Sequence, residues 1–435
     1  MSVKYLLRWT YVDGVFFALM VATAESFALY FFARQGISKT DLAVLSTVPV
    51  LLAAVAQLLI PRLVPRARLG SGIAAMMLLQ LLGLLALIYA AIAADHFWVP
   101  LVALSLYWTG GQCAGPLWID WIAQYCPRAD FERFFGKRTA AIQIVTLAVF
   151  LGFAYFIEWG LSYVWIFAFS ALARLGSLTT FLYSLRKSKS LASANATVLA
   201  GEETFRRGDS HRTAVKIFAI FVLAGGVFRF AVNTSSPFFL TYMIENLKLT
   251  TIDYVWLSSV PLVGKVLFQI NWARGRLQGY QYLGVQTSCI MISFLPWLWT
   301  LSDDFLYLIF IQAMSGLFWG GLEFMHVMLA QNLAYGQSRK YASVQQAVFQ
   351  VCAVGGALLG GVLLDHKWLT QEVFNLSTGL RLVAAGGLAV FAWQYSWTRI
   401  SLRGSFVYLS ALISIRPSAA NIWANIPIRL RRRGT

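Results

Sequence analysis

Ionisable side chains stand inside otherwise apolar stretches at Glu25, Asp120, Arg229, Glu323 and His326. A charge near the centre of a bilayer costs roughly 2.5–3.5 kcal/mol on insertion scales, so each needs a reason to be there. Their spacing groups them. Trp319, Glu323 and His326 fall at i, i+4 and i+7, which puts them on one face of a helix. Arg229, Asn233 and Ser236 repeat that spacing. A polar stripe on an apolar helix faces water or protein rather than lipid. An Arg there offers a forked donor suited to a carboxylate or phosphate. Glu and His there can change charge as access to them changes. The plainer alternative is that these groups pair with one another and only hold helices together.

The elements that position them follow from composition. The chain has 435 residues, 59% of them hydrophobic and only 12% charged. Soluble domains average about 25% charged residues. That balance excludes an ordinary soluble enzyme, a disordered chain and a coiled coil, and leaves a polytopic α-helical membrane protein. Apolar runs of about 20 residues predict spans near 13–33, 42–61, 70–93, 97–124, 139–158 and 161–184. After a polar stretch, six more lie near 217–244, 251–272, 281–300, 305–332, 341–364 and 377–399. The resulting organisation is an N-terminal six-helix bundle over 1–184, an inter-bundle loop over 185–216, a C-terminal six-helix bundle over 217–399 and a basic tail over 400–435.

The net charge of +17 comes from Lys and Arg at the ends of apolar runs, not from a basic domain. This is a topology signal, and nucleic acid is not an expected partner. With the N-terminus inside, inner segments hold 27 Lys and Arg and outer loops hold 4, which puts both termini in the cytoplasm. Lys4 and Arg8 precede an apolar stretch too long for a signal peptide, so a retained first span is expected. Cys113, Cys126, Cys289 and Cys352 form no CxxC pair; no disulfide framework, metal site or cofactor is expected. No GxSxG, HExxH, Walker A or strand-linked GxGxxG is present, so no catalytic residue is assigned and the chain is not read as an enzyme.

The halves carry a repeat. Residues 27–57 align with 239–269 at a constant offset of 212, matching Phe27/Phe239, Tyr30/Tyr242, Asp41/Asp253, Ser46/Ser258, Pro49/Pro261 and Gln57/Gln269 among others. Polar residues and Pro in register argue against chance between apolar segments. Parallel six-helix repeats recur in transporters, with the site between the halves.

On this repeat and on local motifs, the chain resembles the major facilitator superfamily. The segment GPLWIDWIAQYCPRADFERFFGKR, Gly115 to Arg138, is similar to one bacterial branch with the pattern W-x-x-W-x-x-x-x-x-P followed by F-F-G-x-R. That branch is known mostly only as transporters, so the resemblance implies fold and reaction class but no cargo. It implies twelve transmembrane helices in two bundles, with helices 1, 4, 7 and 10 lining a central cavity and a bacterial inner-membrane location. Glu25, Asp120, Arg229, Glu323 and His326 would then all stand on cavity helices. Trp118 and Trp319 are the aromatics placed nearest the cavity. The substrate-binding or coupling set is therefore Glu25, Arg229, Asn233, Glu323, His326, Trp118 and Trp319.

One departure matters. The family's usual G-x-x-x-D-R-x-G-R-[RK] loop between helices 2 and 3 is here PRLVPRARLG, with no acid. Asp120 with Arg133 and Arg138 is expected to replace that cytoplasmic latch. Asp13 reads as an acid at a helix start, Lys265 as either a structural partner or a path-lining group, Arg174 as a buried pair or a snorkelling residue, and Arg381 as snorkelling to headgroups. In the tail, SFVYLSALISI is too short to span and precedes RLRRRG, which together read as an interfacial helix on anionic lipid.

The expected function is secondary active transport of a small organic solute by alternating access, with protons as candidate coupling ions, lipids as partners and a monomeric state. The alternatives are a membrane-embedded acyltransferase using a buried His and a non-transporting receptor on a transporter scaffold.

Overall fold

The computed structural model describes residues 3–35, 37, 39–65, 68–93, 97–126, 128–204, 209–249, 251–273, 281–333, 338–395 and 409. Twelve long helices run through them. The first half has α1 (Val3–Arg34), α2 (Lys39–Leu63), α3 (Leu69–Ala93), α4 (Trp98–Ala123), α5 (Arg128–Glu158) and α6 (Tyr163–Thr204). The second has α7 (Asp209–Asn233), a short α8 (Phe238–Thr241) with a π-turn over Tyr242–Asn246, then α9 (Thr251–Ala273), α10 (Gln281–Leu298), α11 (Phe305–Leu333), α12 (Ser338–Asp365) and α13 (Thr370–Tyr395). Spans 8 to 12 of the sequence are therefore α9 to α13.

Among the described residues nine helices are long and apolar enough to cross a membrane. The chain is an integral, multi-pass membrane protein. Of the remaining long helices, α4 and α9 carry polar groups that other helices take up. Asp120 on α4 and Ser259, Gln269 and Asn271 on α9 are buried, because α4 lies against α2, α3 and α12 and α9 lies against α5 and α11. The third, α10, has a short apolar core, Leu283–Leu298.

The packing repeats with the sequence. In the first half α1 packs on α5 and α6, α2 on α4, and α3 on α4 and α6. In the second, α7 packs on α12 and α13, α9 on α11, and α10 on α11 and α13. These are the same pairings with every helix replaced by the one six spans later. The halves meet where α5 lies against α9 and α2 against α12, and the repeat exchanges those two contacts. Close approach is set by small residues. A Cβ at Gly83 would stand 2.6–2.7 Å from the backbone of Tyr107 and Ala103, and one at Gly264 2.6 Å from that of Ala313 and Leu317. Glycine is what lets α3 reach α4 and α9 reach α11.

Individual hydrogen bonds repeat as well. The Thr23 and Ser170 hydroxyls join α1 to α6 at 2.5 Å, and Ser235 donates to Ser377 of α13 at 3.0 Å. Thr23 and Ser235 are related by the offset of 212. Ser170 and Ser377 are related by 207, within a shared F-x-x-S-x-x-x-R-L that pairs Phe167 with Phe374 and Arg174 with Arg381.

Three expectations need correction here. The backbone of the stretch read as a loop from 185 is helical to Thr204, and helix resumes at Asp209. α1 starts at Val3, so Asp13 lies ten residues inside it rather than at its start. α7 is not continuous either. It ends at Asn233, turns through residues 234–237 and resumes as α8, whereas α1 has no such break. Pro237, with no N–H to give, stands where the repeat has Glu25. Of the tail at 400–435 only Leu409 is described, and it packs against the main apolar core. The polybasic end lies outside the described residues.

Candidate functional site

The second half gathers charge in its interior. Lys265 of α9 donates to both carboxylate oxygens of Glu323 on α11, at 2.9 and 3.1 Å. The pair is not sealed. The Glu323 side chain is 43% exposed and that of Lys265 20%, although Leu322, Phe324 and Met325 beside Glu323 are buried. Glu323 thus faces an open cleft from within the protein. One turn along α11, the Trp319 ring lies under the Arg229 guanidinium, 5.3 Å from ring centroid to Cζ. Phe349 of α12 flanks the same guanidinium at 5.7 Å. Among the described residues the Arg229 side chain has no acid within ion-pair distance and no hydrogen-bond partner, and its Nε is buried and unmatched. Arg229 is fourteen residues beyond Val215, where its apolar span starts, or about 21 Å at 1.5 Å per residue. A guanidinium held on rings at that depth keeps its forked donors turned toward whatever acceptor enters.

Two residues expected beside it are placed differently. His326 does not share the cleft with Glu323. It is 3% exposed, held between the rings of Phe221 at 5.3 Å and Phe349 at 5.1 Å, with both ring nitrogens unmatched among the described residues. Three residues of helix turn it 60° short of a full revolution from Glu323, enough to move it from the cleft to the α7–α12 seam. Asn233 returns its side-chain N–H to the Arg229 carbonyl at 2.9 Å and so caps the end of α7.

The first half ties its charges down. Arg138 of α5 donates to Asp13 of α1 at 3.2 Å and to the Thr10 carbonyl at 2.9 Å. The Ser177 hydroxyl of α6 donates to the other Asp13 oxygen at 2.6 Å and accepts from Arg174 at 3.3 Å. Trp118 stacks on the Arg138 guanidinium at 4.1 Å, so it belongs to this network and not to the Arg229 group. Arg138 is thereby committed to α1. Of the other two latch residues, Asp120 is buried and engaged, and Arg133 is exposed. Glu25 accepts from the Tyr107 hydroxyl of α4 at 3.0 Å. Beside these, in the α4–α5 turn, burial and then the nearby Asp130 charge push the Cys126 thiol up to about 11.

Arg381 overturns its expectation most fully. It is 2% exposed and reaches no headgroup. It donates to the Val232 carbonyl (3.0 Å), the Ile292 carbonyl (3.0 Å), Ser235 (2.8 Å) and Ser377 (3.0 Å). Val232 and Ser235 flank the α7 break, and the Val232 carbonyl there accepts from the Ser236 N–H at 3.2 Å as well as from Arg381. A cation at a helix C-terminus also meets the negative end of its dipole. The offset of 207 linking Arg381 to the equally buried Arg174 was the available signal for this role.

Between the halves lies a small cavity of about 90 Å³, walled by Gly111, Gln112, Gly115 and Ile119 of α4, Val327 of α11 and Gln345 and Gln346 of α12. Val327 is four residues beyond Glu323, and Gln345 four before Phe349. The cavity therefore sits one helical turn, about 6 Å of rise, along α11 from Glu323 and along α12 from Phe349, toward the face that carries the start of α1.

The sequence matches no protein-family model and no curated protein. By structure the chain is similar to the human organic anion transporter MFSD10, at 12% identity and a TM-score of 0.63 over 89% of this chain and 98% of that one. It is also similar to the proton:xylose symporter XylE of the major facilitator superfamily, at 13% identity and a TM-score of 0.64 over 90% and 95%. At such identities the likeness is one of fold.

Proposed function

We propose that this chain, which has the major facilitator fold, is a secondary transporter that moves a small organic anion by alternating access. The observation that carries the reading is Arg229: a cation deep in α7, seated on Trp319 and Phe349, with no acid paired to it among the described residues. Among the described residues the one acid in its group, Glu323, is already neutralised by Lys265. The group therefore holds one positive charge more than negative, which a bound carboxylate or phosphate would balance.

Glu323 is the coupling group in this reading. It is open to the cleft and held by a partner that a substrate anion can compete for. When the anion takes Lys265, the Glu323 carboxylate is left facing the cleft without its counter-charge. Glu25, bonded to Tyr107, is the second candidate. His326, sealed between two rings, is not one, and the same burial argues against the acyltransferase alternative, which needs an accessible His. The bundles at 1–184 and 217–399 would rock about this site, with the charge asymmetry putting both termini in the cytoplasm. Asp120 and Arg133 stay as candidates for closing the cytoplasmic side.

Proteoliposome flux tests the reading. Across a panel of organic acids, an imposed pH gradient should drive uptake of at least one. Glu323→Gln should abolish pH-driven uptake and retain exchange, because exchange need not cycle a proton. Arg229→Ala should lose both. pH-driven uptake by Glu323→Gln at the wild-type rate would remove Glu323 as coupling group, and anion uptake unaffected by Arg229→Ala would remove the anion site.

A further inference from the structure

The cavity one turn along α12 from Phe349 has a chemistry of its own. It carries no charge. Its polar groups are the carboxamides of Gln112, Gln345 and Gln346. Gln57 donates to the Gln112 carbonyl at 2.7 Å, with a longer approach to its side-chain oxygen at 3.4 Å, so the Gln112 amide N–H groups stay available as donors. Gln345 uses its N–H on the His326 carbonyl at 3.4 Å, which leaves its side-chain oxygen to accept. Gln346 has no hydrogen-bond partner among the described residues and can do either. A wall offering both donors and acceptors matches a hydroxyl or an amide, each of which gives and takes a hydrogen bond.

Glycine supplies the room. A Cβ at Gly115 would meet nothing within 4 Å, in contrast to Gly83 or Gly264, whose missing side chains are filled by neighbouring backbone. Gly115 is therefore not a helix-packing glycine, and its emptiness opens onto the amide wall. The volume of about 90 Å³ is far above the roughly 10–15 Å³ that one water needs, so the cavity has room for the polar end of a molecule.

We propose that this cavity is the second half of a two-part binding site. The anionic head of the cargo sits at Arg229, and a hydroxyl- or amide-bearing body reaches the Gln112–Gln345–Gln346 wall, which begins one turn of α12 from the Phe349 ring that flanks Arg229. The cargo class is a polar organic anion, such as a hydroxy acid, rather than a lipophilic one. This rests on the reading of Arg229 as the anion-holding group.

Three six-carbon probes separate the parts: gluconate has the carboxylate and the hydroxyls, hexanoate only the carboxylate, and glucitol only the hydroxyls. Binding to the purified full chain would be read by calorimetry and thermal shift. Gluconate should bind about tenfold tighter than hexanoate, and glucitol weaker than either, because two or more unmatched amides penalise the analogue without hydroxyls. Gln346→Leu should lower gluconate affinity about fivefold or more and leave hexanoate within about twofold. Gly115→Leu, which fills the cavity while favouring helix, should do the same and serves if the Gln346 variant fails to fold. Hexanoate binding as tightly as gluconate, or gluconate binding untouched by both variants, overturns the amide wall. Glucitol binding as well as gluconate, with Arg229→Gln without effect, overturns the anion reading while the wall stands. Failure of all three probes to bind overturns both.

Discussion

Asp13→Asn separates two accounts of the first-half charges. If Asp13 were a helix-end acid, losing its charge would cost about 0.3–1 kcal/mol. In the structure it is 6% exposed and answers Arg138 directly and Arg174 through Ser177. Asn keeps the size of the side chain and can still accept from Ser177. What it removes is, among the described residues, the one acid that answers two buried guanidinium groups, and breaking one member of such a buried pair costs about 3–5 kcal/mol. Removing both members is far milder, since a buried pair contributes little over apolar residues of similar shape. Asp13→Asn/Arg138→Met should therefore recover about 2 kcal/mol or more relative to the sum of the single losses. Unfolding of the full chain by SDS in mixed micelles, followed by tryptophan fluorescence, measures all three. A loss under about 1 kcal/mol for Asp13→Asn, or singles that add to within about 0.5 kcal/mol, would refute the buried hub.

Arg381→Lys keeps the charge but loses the fork that reaches Val232, Ile292 and two serines. It should cost about 2–4 kcal/mol in the same assay, and an unchanged midpoint would remove Arg381 as the cap of the α7 break. Gly264→Ala pushes a methyl onto the α11 backbone and should cost about 1–3 kcal/mol, whereas Gly115→Ala, facing open space, should be neutral or slightly stabilising. Equal effects at the two positions would contradict the packing. In a chain retaining only Cys126, maleimide labelling should be slow at pH 7, where a thiol at about 11 is only about one part in 10,000 thiolate, and should rise about tenfold per pH unit up to pH 10. A rate that levels off by pH 9 would show the thiol is not raised.

The fold was legible because its determinants are local. Apolar runs, the charge bias between them and a register-true repeat each follow from reading along the chain. The same repeat could have been followed further. F-x-x-S-x-x-x-R-L at Phe167 and Phe374 carries it into the last helix of each half, with the offset reduced from 212 to 207. Partner choice was much less legible. Lys265 and Glu323 lie 58 residues apart on helices whose faces are set by Gly264 and Gly316, so nothing in their own spacing joins them. His326 was grouped with Glu323 by an i, i+3 spacing that leaves a real angular difference, and here that angle separates an open cleft from a sealed seam. Asp13 was misread because the helix was started at the densest apolar run, whereas Val3 to Tyr11 continues it in amphipathic form.

The two halves use one scaffold to opposite ends. Both bury an arginine at the equivalent place on their last helix, Arg174 and Arg381, and both join that helix to their first through a hydroxyl pair. From there they diverge. In the first half Arg138 meets Asp13, Trp118 covers it and α1 runs unbroken, so this pair is matched and, with Ser177 of α6, ties three helices together. In the second half the Asp13 position is Gly225, α7 breaks at Pro237 and Arg381 serves the loose helix end. Arg229 is then left on its aromatic seat with no acid paired to it among the described residues. A site that must bind and release an anion needs such an unmatched cation, because a fully paired one would have to break its pair at every turnover. That need predicts where a second acid would do most harm. Phe349→Glu, placing a carboxylate beside Arg229, should leave the fold intact by pairing with it and yet abolish anion binding; retained binding in a folded Phe349→Glu protein would show that Arg229 is not the group the anion requires.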